Sequence, residues 1–374
     1  MSSDTPVVGL VMIVKNEEAV IERALRSALP FISTYVIVDT GSTDRTKEII
    51  ASVFAEANLQ GLLVDRPWVD FGVNRSEALS LCDGRMTCAY MMDADDSLAG
   101  EPPPASIWTD VAIDGYALCL HHDTIRHHRI QVFRMNRGWA YKGAIHEAPY
   151  CKERIYTATG YLPMVHMITR CEGARSKDPQ KFVKDAAVLE AELARDPPST
   201  SMEHRTLFYL AQSYRDAGNN AEAERVFRLY LTVPGGWDQQ RYMVLVNLIR
   251  LVSDVKETAA WAWEAVELCP NRLEAPHAFV QQQRFAQRVV TNQTFALATV
   301  VRNRTITPTD LFVIFDVYDW SMDDEMAVVA QALGRHQDAQ IGFLRCVLNA
   351  PTESMRAVAL GNARGMAKIL GIAA

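Results

Sequence analysis

The sequence predicts an α/β domain followed by an all-helical domain. Two observations support this division. In the first hundred residues, short apolar runs rich in β-branched side chains alternate with amphipathic segments, a pattern typical of βα units that build a parallel sheet covered by helices. From Pro197 onward the strand patterns disappear and helical periodicity takes over. A chain of 374 residues, 49% hydrophobic and 22% charged, is long enough for two or three folded domains.

Four strand patterns and three helix patterns make up the first hundred residues. The strands are expected at 7–14, 35–38, 62–64 and 87–92, and the helices at 19–29, 45–57 and 74–81. Gly41 permits a sharp turn after the second strand, and Asp44 can cap the helix that follows. Because ligands of open α/β sheets gather at the carboxyl ends of the strands, the functional surface is expected there.

Three further strand patterns follow the Pro-rich loop 101–104, at 116–120, 129–135 and 141–145. The α/β domain is therefore expected to cover residues 1–172. A linker helix is expected within 173–198, capped by Asp178 and with Pro179 at its first position. Its apolar face is predicted to comprise Phe182, Ala186, Leu189 and Leu193.

Residues 199–374 contain a degenerate repeat whose spacing resembles the roughly 34-residue tetratricopeptide unit. The first copy comprises Leu207, Leu210, Ala211, Tyr214, Gly218, Ala223, Phe227 and Pro234, and looser copies begin near Tyr242 and Ala332. Each unit is a helical hairpin that cannot bury its apolar face alone, so consecutive hairpins are expected to stack. A generic helical bundle is the alternative. Trp261 and Trp263 in the second copy are expected to be packing residues.

Charge and cysteine content exclude several classes of protein. The 38 basic and 45 acidic residues leave a net charge of −7, so nucleic acid is an unlikely partner. The seven cysteines are scattered without a CxxC spacing, which argues against a disulfide framework or a zinc knuckle. No basic leader and no run of about 20 apolar residues is present. We therefore expect a cytoplasmic protein without a transmembrane segment.

The strongest chemical signal is an acidic cluster at the end of the fourth predicted strand. Asp93, Asp95 and Asp96 follow the apolar residues Met91 and Met92. Three carboxylates within four residues repel one another unless a cation holds them, and oxygen ligands suit Mg²⁺ or Mn²⁺. An ordinary acidic turn is the alternative for this cluster taken alone.

Two polar clusters stand at the ends of earlier strands. Lys15-Asn16-Glu17-Glu18 follows the first strand, and Asp39-Thr40-Gly41-Ser42-Thr43-Asp44 follows the second. Since the carboxyl ends of parallel strands meet at one sheet edge, we expect all three clusters to converge.

This ordered set, KNE, VDTGSTD and a late DAD, resembles the family 2 inverting glycosyltransferases of the GT-A fold over residues 7–96. The resemblance implies a Rossmann-like mixed sheet. The resemblance implies a nucleotide diphosphate sugar as donor, with UDP the first choice, and a bound Mn²⁺ or Mg²⁺. The implied donor-binding residues are Val14, Lys15, Glu17, Asp39, Arg75, Asp93 and Ala94. Within this set, Asp39 would hydrogen-bond the base and Arg75 would touch the nucleotide or diphosphate. The resemblance also makes Asp95 the ligand of a metal that bridges the diphosphate, while Ser76 replaces the family's Asn.

Two later segments resemble a subgroup of the same family. They are Arg129-Ile130-Gln131-Val132-Phe133-Arg134 and the stretch 139–147, which ends in His146-Glu147. Inverting transfer needs a base to remove the acceptor proton, and Glu147 is the candidate, with Asp123 as a fallback. The resemblance implies His166 as a third metal ligand. A salt-bridged strand end is the alternative for His146 and Glu147.

Four histidines, His121, His122, His127 and His128, resemble a metal cluster. Adjacent residues of a strand point to opposite faces, so the pairs are not expected to converge on zinc.

The sequence therefore predicts a metal-dependent inverting glycosyltransferase that transfers a sugar from a nucleotide diphosphate to a peptide, protein or glycan acceptor. A GT-A domain followed by tetratricopeptide-like repeats resembles the peptide S-glycosyltransferases, which implies a homodimer through the helical domain. A nucleotidyltransferase is an alternative, although residues 15–18 offer no Gly-rich phosphate loop. A non-catalytic adaptor with a relic nucleotide-sugar domain is the other alternative.

Overall fold

The computed structural model describes residues 5–152, 157–195, 201–301 and 304–372. The chain forms two compact units. The first reaches Gly218 and excludes only Thr124–Arg126, which belong with Asn219–Ala374 in the second unit.

The first unit contains the predicted parallel sheet. Its four strands are β1 (Val8–Val14), β2 (Thr34–Asp39), β3 (Gly61–Asp65) and β4 (Cys88–Met91). They pair in parallel in the order β3-β2-β1-β4. Helices α1 (Ile21–Ala28), α2 (Thr46–Glu56) and α3 (Phe71–Cys82) connect them. The four-strand prediction is confirmed.

Both faces of this sheet are covered, as the near-continuous apolar strands require. Even-numbered side chains of β1, such as Leu10 and Met12, pack with α1 and α2, including Ile21 and Phe54. Odd-numbered side chains, such as Val11 and Ile13, lie in a second core with Ala78 and Leu79 of α3. The period of two along β1 therefore fills two separate hydrophobic layers.

Beyond β4 the sheet becomes mixed, as the GT-A fold implies. The additional strands are β5 (Ser97–Gly100), β6 (Gly115–His122), β7 (Ile125–Arg134) and β10 (Thr159–Ile168). The strands predicted at 116–120 and 129–135 are confirmed as β6 and β7, whereas β5 and β10 were not predicted. They extend the order as β4-β7-β6-β10-β5, with β7 antiparallel to β4. Pro163 obscured β10, because proline is unexpected inside a strand. The pairing of β10 with β6 shifts register between Tyr161 and His166, so Pro163 occupies an irregular stretch.

Two short strands form a separate ribbon beside this sheet. These strands, β8 (Trp139–Lys142) and β9 (Ala148–Cys151), pair antiparallel, and helix α4 (Ala105–Thr109) follows the Pro-rich loop. The strand predicted at 141–145 therefore ends at Lys142, and residues 143–147 form a loop, which we call the 143–147 loop. The positive φ angles of Gly143 (105°) and His146 (51°) prevent an extended strand there.

Two helices complete the first unit, α5 (Lys181–Arg195) and α6 (Ser201–Asp216), and they pack against each other. The unit thus ends at residue 218, whereas the sequence placed a boundary at 198. The buried side of α5 also differs from the expectation, since Phe182 is 36% exposed and Asp185 is buried. Burial of Asp185 follows from its ion pair with Arg175.

The second unit is helical, as predicted. Its helices are α7 (Asn220–Thr232), α8 (Asp238–Leu251), α9 (Val255–Leu268), α10 (Glu274–Gln281), α11 (Asn292–Val300), α12 (Met322–Ala332), α13 (His336–Asn349) and α14 (Glu353–Leu370). Wide π-type turns occupy 282–287 and 317–321. A two-residue strand, β11 (Val313–Ile314), pairs with Ile125 and Arg126.

A buried polar cluster lies within this second unit. Arg272 is 1% exposed and its guanidinium pairs with Glu274, which also accepts hydrogen bonds from the hydroxyls of Tyr242 and Tyr318. Each buried charge is therefore satisfied. Among the described residues, no helix is long and apolar enough to cross a membrane.

We expect Gly72→Ala to destabilise the first unit by about 1–3 kcal/mol, as overpacking of a closed contact does. A Cβ at Gly72 would lie 2.3 Å from the backbone oxygen of Gly143, which cannot move without displacing the 143–147 loop. Gly9→Ala is the matched control, because its Cβ would meet the flexible end of Met86. Chemical denaturation of both variants measures the difference, and equal midpoints for Gly72→Ala and wild type would contradict the prediction.

Candidate functional site

The carboxyl ends of the parallel strands bring the predicted clusters to one sheet edge. Val14, the last residue of β1, is the register partner of Asp39, the last residue of β2. On the other side of β1, Val11 pairs with Met91, which ends β4 just before the acidic cluster. The expected convergence is therefore confirmed.

The loops that follow β1 and β2 are joined by side-chain hydrogen bonds. The Asn16 N–H donates to Ser42 Oγ (2.9 Å), and the Thr43 N–H donates to Asn16 Oδ1 (2.8 Å). The Glu17 N–H donates to Thr46 Oγ1 (2.7 Å). These bonds fix the orientation of both loops and explain structurally why polar residues occupy these positions.

Asp39 is buried, and only one of its two carboxylate oxygens accepts hydrogen bonds. Its Oδ1 accepts hydrogen bonds from the backbone N–H groups of Gly41 (2.9 Å) and Ser42 (2.7 Å). Its Oδ2 is buried without a hydrogen-bond partner. An unsatisfied buried carboxylate oxygen is costly, so a ligand N–H would be a favourable partner. Gly41 has φ 106°, which confirms the predicted turn.

A cavity of about 700 Å³ opens at this edge. Its walls come from the ends of β1 and β2, the acidic cluster, the start of α3, the 143–147 loop and residues 169–178 after β10, which we call the cover segment. The lining residues are Ile13, Val14, Lys15, Asn16, Glu17, Thr40, Trp68, Phe71, Arg75, Asp93, Ala94, Asp95, His146, Thr169, Arg170, Cys171, Gly173, Ala174, Arg175, Ser176, Asp178 and Lys181. Six of the seven predicted donor-binding residues are among them, and Asp39 is not.

Arg75 joins the candidate base to the acidic cluster. Its guanidinium lies 2.5 Å from Asp93 Oδ1 through one terminal nitrogen and 2.7 Å from Glu147 Oε1 through Nε. Burial acts to raise the pKa of Asp93, but the positive charges of Arg75 and Arg129 outweigh it and lower that pKa. Glu147 does not line the cavity directly, so its carboxylate reaches the site through Arg75.

The cover segment supplies backbone donors to two carboxylates. Asp95 Oδ2 accepts from the N–H groups of Glu172 and Gly173, both at 3.0 Å. The carboxylate of Glu17 accepts from the Ala174 N–H at 3.1 Å. A Cβ at Gly173 would lie 3.3 Å from both acids, so glycine suits this close approach.

Burial and mutual repulsion raise the pKa of two acids in this group. The pKa of Glu17 is raised to about 7, first by burial and then by the charges of Asp95 and Asp93. The pKa of Asp96 is likewise raised to about 7 by burial and by Asp93. Asp96 faces inward at 1% exposure and holds the Asp93 N–H, which makes it a support for the acidic turn.

His146 lines the cavity in a left-handed conformation. Its ring stacks on Tyr209 of α6, with centroids 4.0 Å apart and planes 3° apart. Burial, and then the charges of nearby Arg175 and Arg205, lower its pKa to about 3, so the imidazole is neutral at pH 7.

The structure does not bring His166 into a group with the acidic residues. Its ring stacks on His121 with centroids 4.5 Å apart, and it does not line the cavity. Over the described ranges, no set of three or more His, Cys, Asp or Glu side chains is arranged to hold a metal. The histidine quartet is likewise not such a set, since His128 packs on Tyr161 and His122 lies 3.5 Å from Cys171. His166 as a metal ligand stays a prediction.

Sequence reasoning missed two parts of the cavity wall. One is the cover segment, which joins the site through backbone groups that no sequence pattern reveals. The other is the aromatic pair Trp68 and Phe71, whose rings meet edge to face at 4.8 Å. Trp68 is 43% exposed at the cavity. An exposed tryptophan just before a helix was the available signal.

Comparison with known proteins finds a family match for the region that contains the parallel strands. Residues 10–101 match the family model described as Glycosyl transferase family 2. An uncharacterized glycosyltransferase of Rickettsia bellii is 32% identical over 97 residues, which are 26% of this chain and 30% of that protein. The matched region thus spans less than a third of the relative's length. The first unit contains a family 2 glycosyltransferase domain, which confirms the predicted family.

Two solved structures give distant likenesses. S. aureus TarS is 13% identical, with 74% of this chain and 55% of that one covered and a TM-score of 0.35. The mannosyltransferase PcManGT of Pyrobaculum calidifontis, solved with GDP-Man and Mn²⁺, is 12% identical, with 74% and 88% covered and a TM-score of 0.37. Likenesses at these scores say nothing about the substrate of this chain.

We expect Glu17→Gln to gain stability relative to wild type as pH rises. The pKa of Glu17 is raised from its ordinary 4.5 to about 7 in the folded state. The contribution of the wild-type carboxyl to the free energy of unfolding is therefore fully present below pH 4.5 and is lost as pH rises through 7. Chemical denaturation between pH 5 and 8 in EDTA measures this, with exposed Glu101→Gln as control. Parallel pH curves for wild type and Glu17→Gln would contradict the assignment.

Proposed function

We propose that the first unit is a metal-dependent inverting glycosyltransferase that uses a nucleotide diphosphate sugar, with a UDP-sugar the first choice. The main support for the proposal is one cavity at the carboxyl ends of the strands in the family 2 domain. Two basic side chains, Lys15 and Arg75, and three carboxylates line this cavity. The carboxylates belong to Glu17, Asp93 and Asp95. Its volume of about 700 Å³ is in the range of small-molecule and cofactor sites.

The donor would span the cavity from Asp39 to Asp95. The unpartnered Oδ2 of Asp39 offers an acceptor for a base N–H. Asp39 is not among the lining residues, but the adjacent Thr40 is. Lys15 and Arg75 provide positive charge for phosphates. Val14 and Ala94 provide apolar contact for the nucleoside, and Asp93 is the acceptor for the ribose hydroxyls.

Oxygen donors at the cavity fit a hard divalent cation. Asp93 and Asp95 are carboxylates on one turn, and such ligands suit Mg²⁺ and Mn²⁺. The backbone donors on Asp95 Oδ2 leave its other oxygen without a protein donor in the described contacts. When bound, a cation supplies positive charge against the leaving diphosphate. We retain His166 as a candidate further ligand.

Glu147 is the proposed general base. It would remove the acceptor proton as the acceptor attacks the anomeric carbon, and the bond from that carbon to the diphosphate oxygen breaks with its electron pair on the leaving group. Arg75 lies 2.7 Å from the Glu147 carboxylate and so orients it. His146, neutral at pH 7 and lining the cavity, can accept or donate a hydrogen bond to the acceptor.

The acceptor class is a peptide, protein or glycan. Trp68 and Phe71 at the cavity offer an apolar surface for such a molecule. A non-catalytic adaptor remains the alternative function, and nucleotide binding without turnover would favour it. We place the protein in the cytoplasm as part of this proposal.

Asp95→Asn is expected to abolish metal-dependent UDP binding and sugar release while leaving the fold intact. The amide oxygen retains an acceptor for the Glu172 and Gly173 N–H groups, and only the charge is lost. UDP affinity by calorimetry with Mn²⁺, Mg²⁺ or EDTA, and UDP release from a panel of UDP-sugars, are the measurements. Exposed Glu101→Gln serves as the control.

Full metal-dependent turnover in Asp95→Asn would contradict the proposed metal site. If wild type binds UDP with Mn²⁺ but releases none from any sugar donor, the adaptor function gains support instead.

We further propose that the helical unit, as tetratricopeptide-like hairpins, joins two copies of this chain. Ile341, Leu344 and Leu348 are 50%, 46% and 78% exposed on one side of α13, and Met355 and Val358 are 42% and 63% exposed on α14. Spacings of three and four residues place the α13 side chains on one helical face. Exposed apolar faces of this kind are typical of protein interfaces.

Leu348→Glu is expected to shift the protein from dimer to monomer, because the introduced charge would be buried without a partner. Light scattering after size-exclusion chromatography measures the mass, with Lys368→Glu on α14 as a control for added negative charge. A wild-type monomer, or a dimer unaffected by Leu348→Glu, would contradict the proposed interface.

A further inference from the structure

Side chains of α6 contact the 143–147 loop, although α6 begins more than thirty residues after β10. Arg205 of α6 donates from Nε to the backbone oxygen of His146 at 2.7 Å, and its terminal nitrogen approaches the oxygen of Glu147 at 3.5 Å. Tyr209, one turn later on α6, stacks flat on the His146 ring. The Arg205 guanidinium also lies over the Tyr209 ring, at 4.9 Å.

These contacts offset an unfavourable backbone conformation. His146 has φ 51°, a left-handed conformation that is unfavourable for a residue other than glycine and persists where surrounding contacts enforce it. The charged hydrogen bond from Arg205 fixes the His146 carbonyl, and the Tyr209 ring fixes its side chain. Two independent contacts from one face of α6 therefore fix one residue.

Other helices hold the opposite part of the loop. The Phe71 N–H of α3 donates to the Ala144 oxygen at 3.1 Å, and Glu192 of α5 accepts from the Ala144 N–H at 3.3 Å. The backbone oxygens of His146 and Glu147, by contrast, have their described helix contacts from Arg205 of α6, while the Glu147 carboxylate pairs with Arg75 of α3. Release of Arg205 would thus free the backbone at that end while Ala144 stays held.

The contacts run continuously from α6 to the cavity. Arg205 fixes the backbone of His146 and Glu147, the Glu147 carboxylate lies 2.7 Å from Arg75, and Arg75 lies 2.5 Å from Asp93 at the cavity wall. A shift of Glu147 would therefore change the geometry of Arg75 and Asp93. Asp39 and Lys15 lie on other elements and do not depend on this route, and Asp95 is held separately by the Glu172 and Gly173 N–H groups.

We propose that Arg205 and Tyr209 are positioning residues that set the orientation of Glu147 and, through it, Arg75. This assignment rests on the proposed function for its catalytic consequence, although the loop contacts stand without it. The α6 helix is then part of the catalytic unit and not only the first helix of a repeat.

Hydrogen exchange and kinetics on the full-length protein test this assignment. In Arg205→Ala, backbone amide exchange in a peptide covering 143–150 should quicken by about tenfold or more, while peptides from β1 and β2 stay unchanged. The turnover number for sugar transfer or donor hydrolysis should fall by about a hundredfold, the usual scale for displacing a catalytic group by about 1 Å. The donor KM and the affinity for UDP should change much less than the turnover number, because Lys15 and Asp95 do not depend on Arg75 for their position.

Conservative variants separate positioning from a general loss of structure. Arg205→Lys should restore part of the turnover because an ammonium can still donate to the His146 oxygen, and Tyr209→Phe should match wild type because it keeps the stacked ring. Tyr209→Ala should resemble Arg205→Ala. Arg215→Ala, at the other end of α6, is the control.

Unchanged exchange in Arg205→Ala, or equal acceleration in Arg215→Ala, would overturn the assignment. Faster exchange with unchanged turnover would overturn its catalytic part. If wild type turns over no nucleotide sugar, the proposed function fails, and the exchange comparison still decides whether α6 holds the loop.

Discussion

The buried guanidinium of Arg75 is the interaction on which the site depends. Its side chain is 9% exposed, and a charge that is so little hydrated is stable only with close counter-charges. Asp93 and Glu147 supply them from the end of β4 and from the 143–147 loop. Because Arg75 lies on α3, this one group joins three elements at the cavity wall. Removing either acid would leave a buried charge partly unpaired.

Backbone N–H groups, as well as basic side chains, position the carboxylates on the acidic side of the cavity. Asp95 and Glu17 each accept N–H groups of the cover segment, and Asp39 accepts two from the turn after β2. These bonds hold carboxylates at fixed positions without neutralising them, which explains how repelling acids coexist in one wall. Burial and repulsion between neighbouring carboxylates still raise the pKa values of Glu17 and Asp96.

The division of the chain follows these contacts and not the change of secondary structure. Helices α5 and α6 belong to the sheet unit because Glu192, Arg205 and Tyr209 reach the 143–147 loop. A boundary drawn where strands give way to helices would separate the loop from the groups that hold it. Under the proposed function, the catalytic unit would therefore extend past residues 10–101, which match the family model.

The sequence alone determined the four parallel strands, the positions of β6 and β7, the helical second unit and the polar residues that line the cavity after β1 and β4, because strand periodicity and the polar clusters after β1, β2 and β4 are local signals. Lys15, Glu17, Asp93 and Asp95 were identifiable for that reason, whereas Arg75 was identifiable through the family resemblance. Tertiary structure alone decided how β5, β6, β7 and β10 complete the sheet, since long-range pairing and the irregular stretch at Pro163 leave no local pattern. It also decided that backbone N–H groups of residues 172–174 face Asp95 and Glu17, and that α6 holds the loop of Glu147. Such contacts join positions up to 157 residues apart in the chain, and only the folded chain brings them within hydrogen-bonding distance.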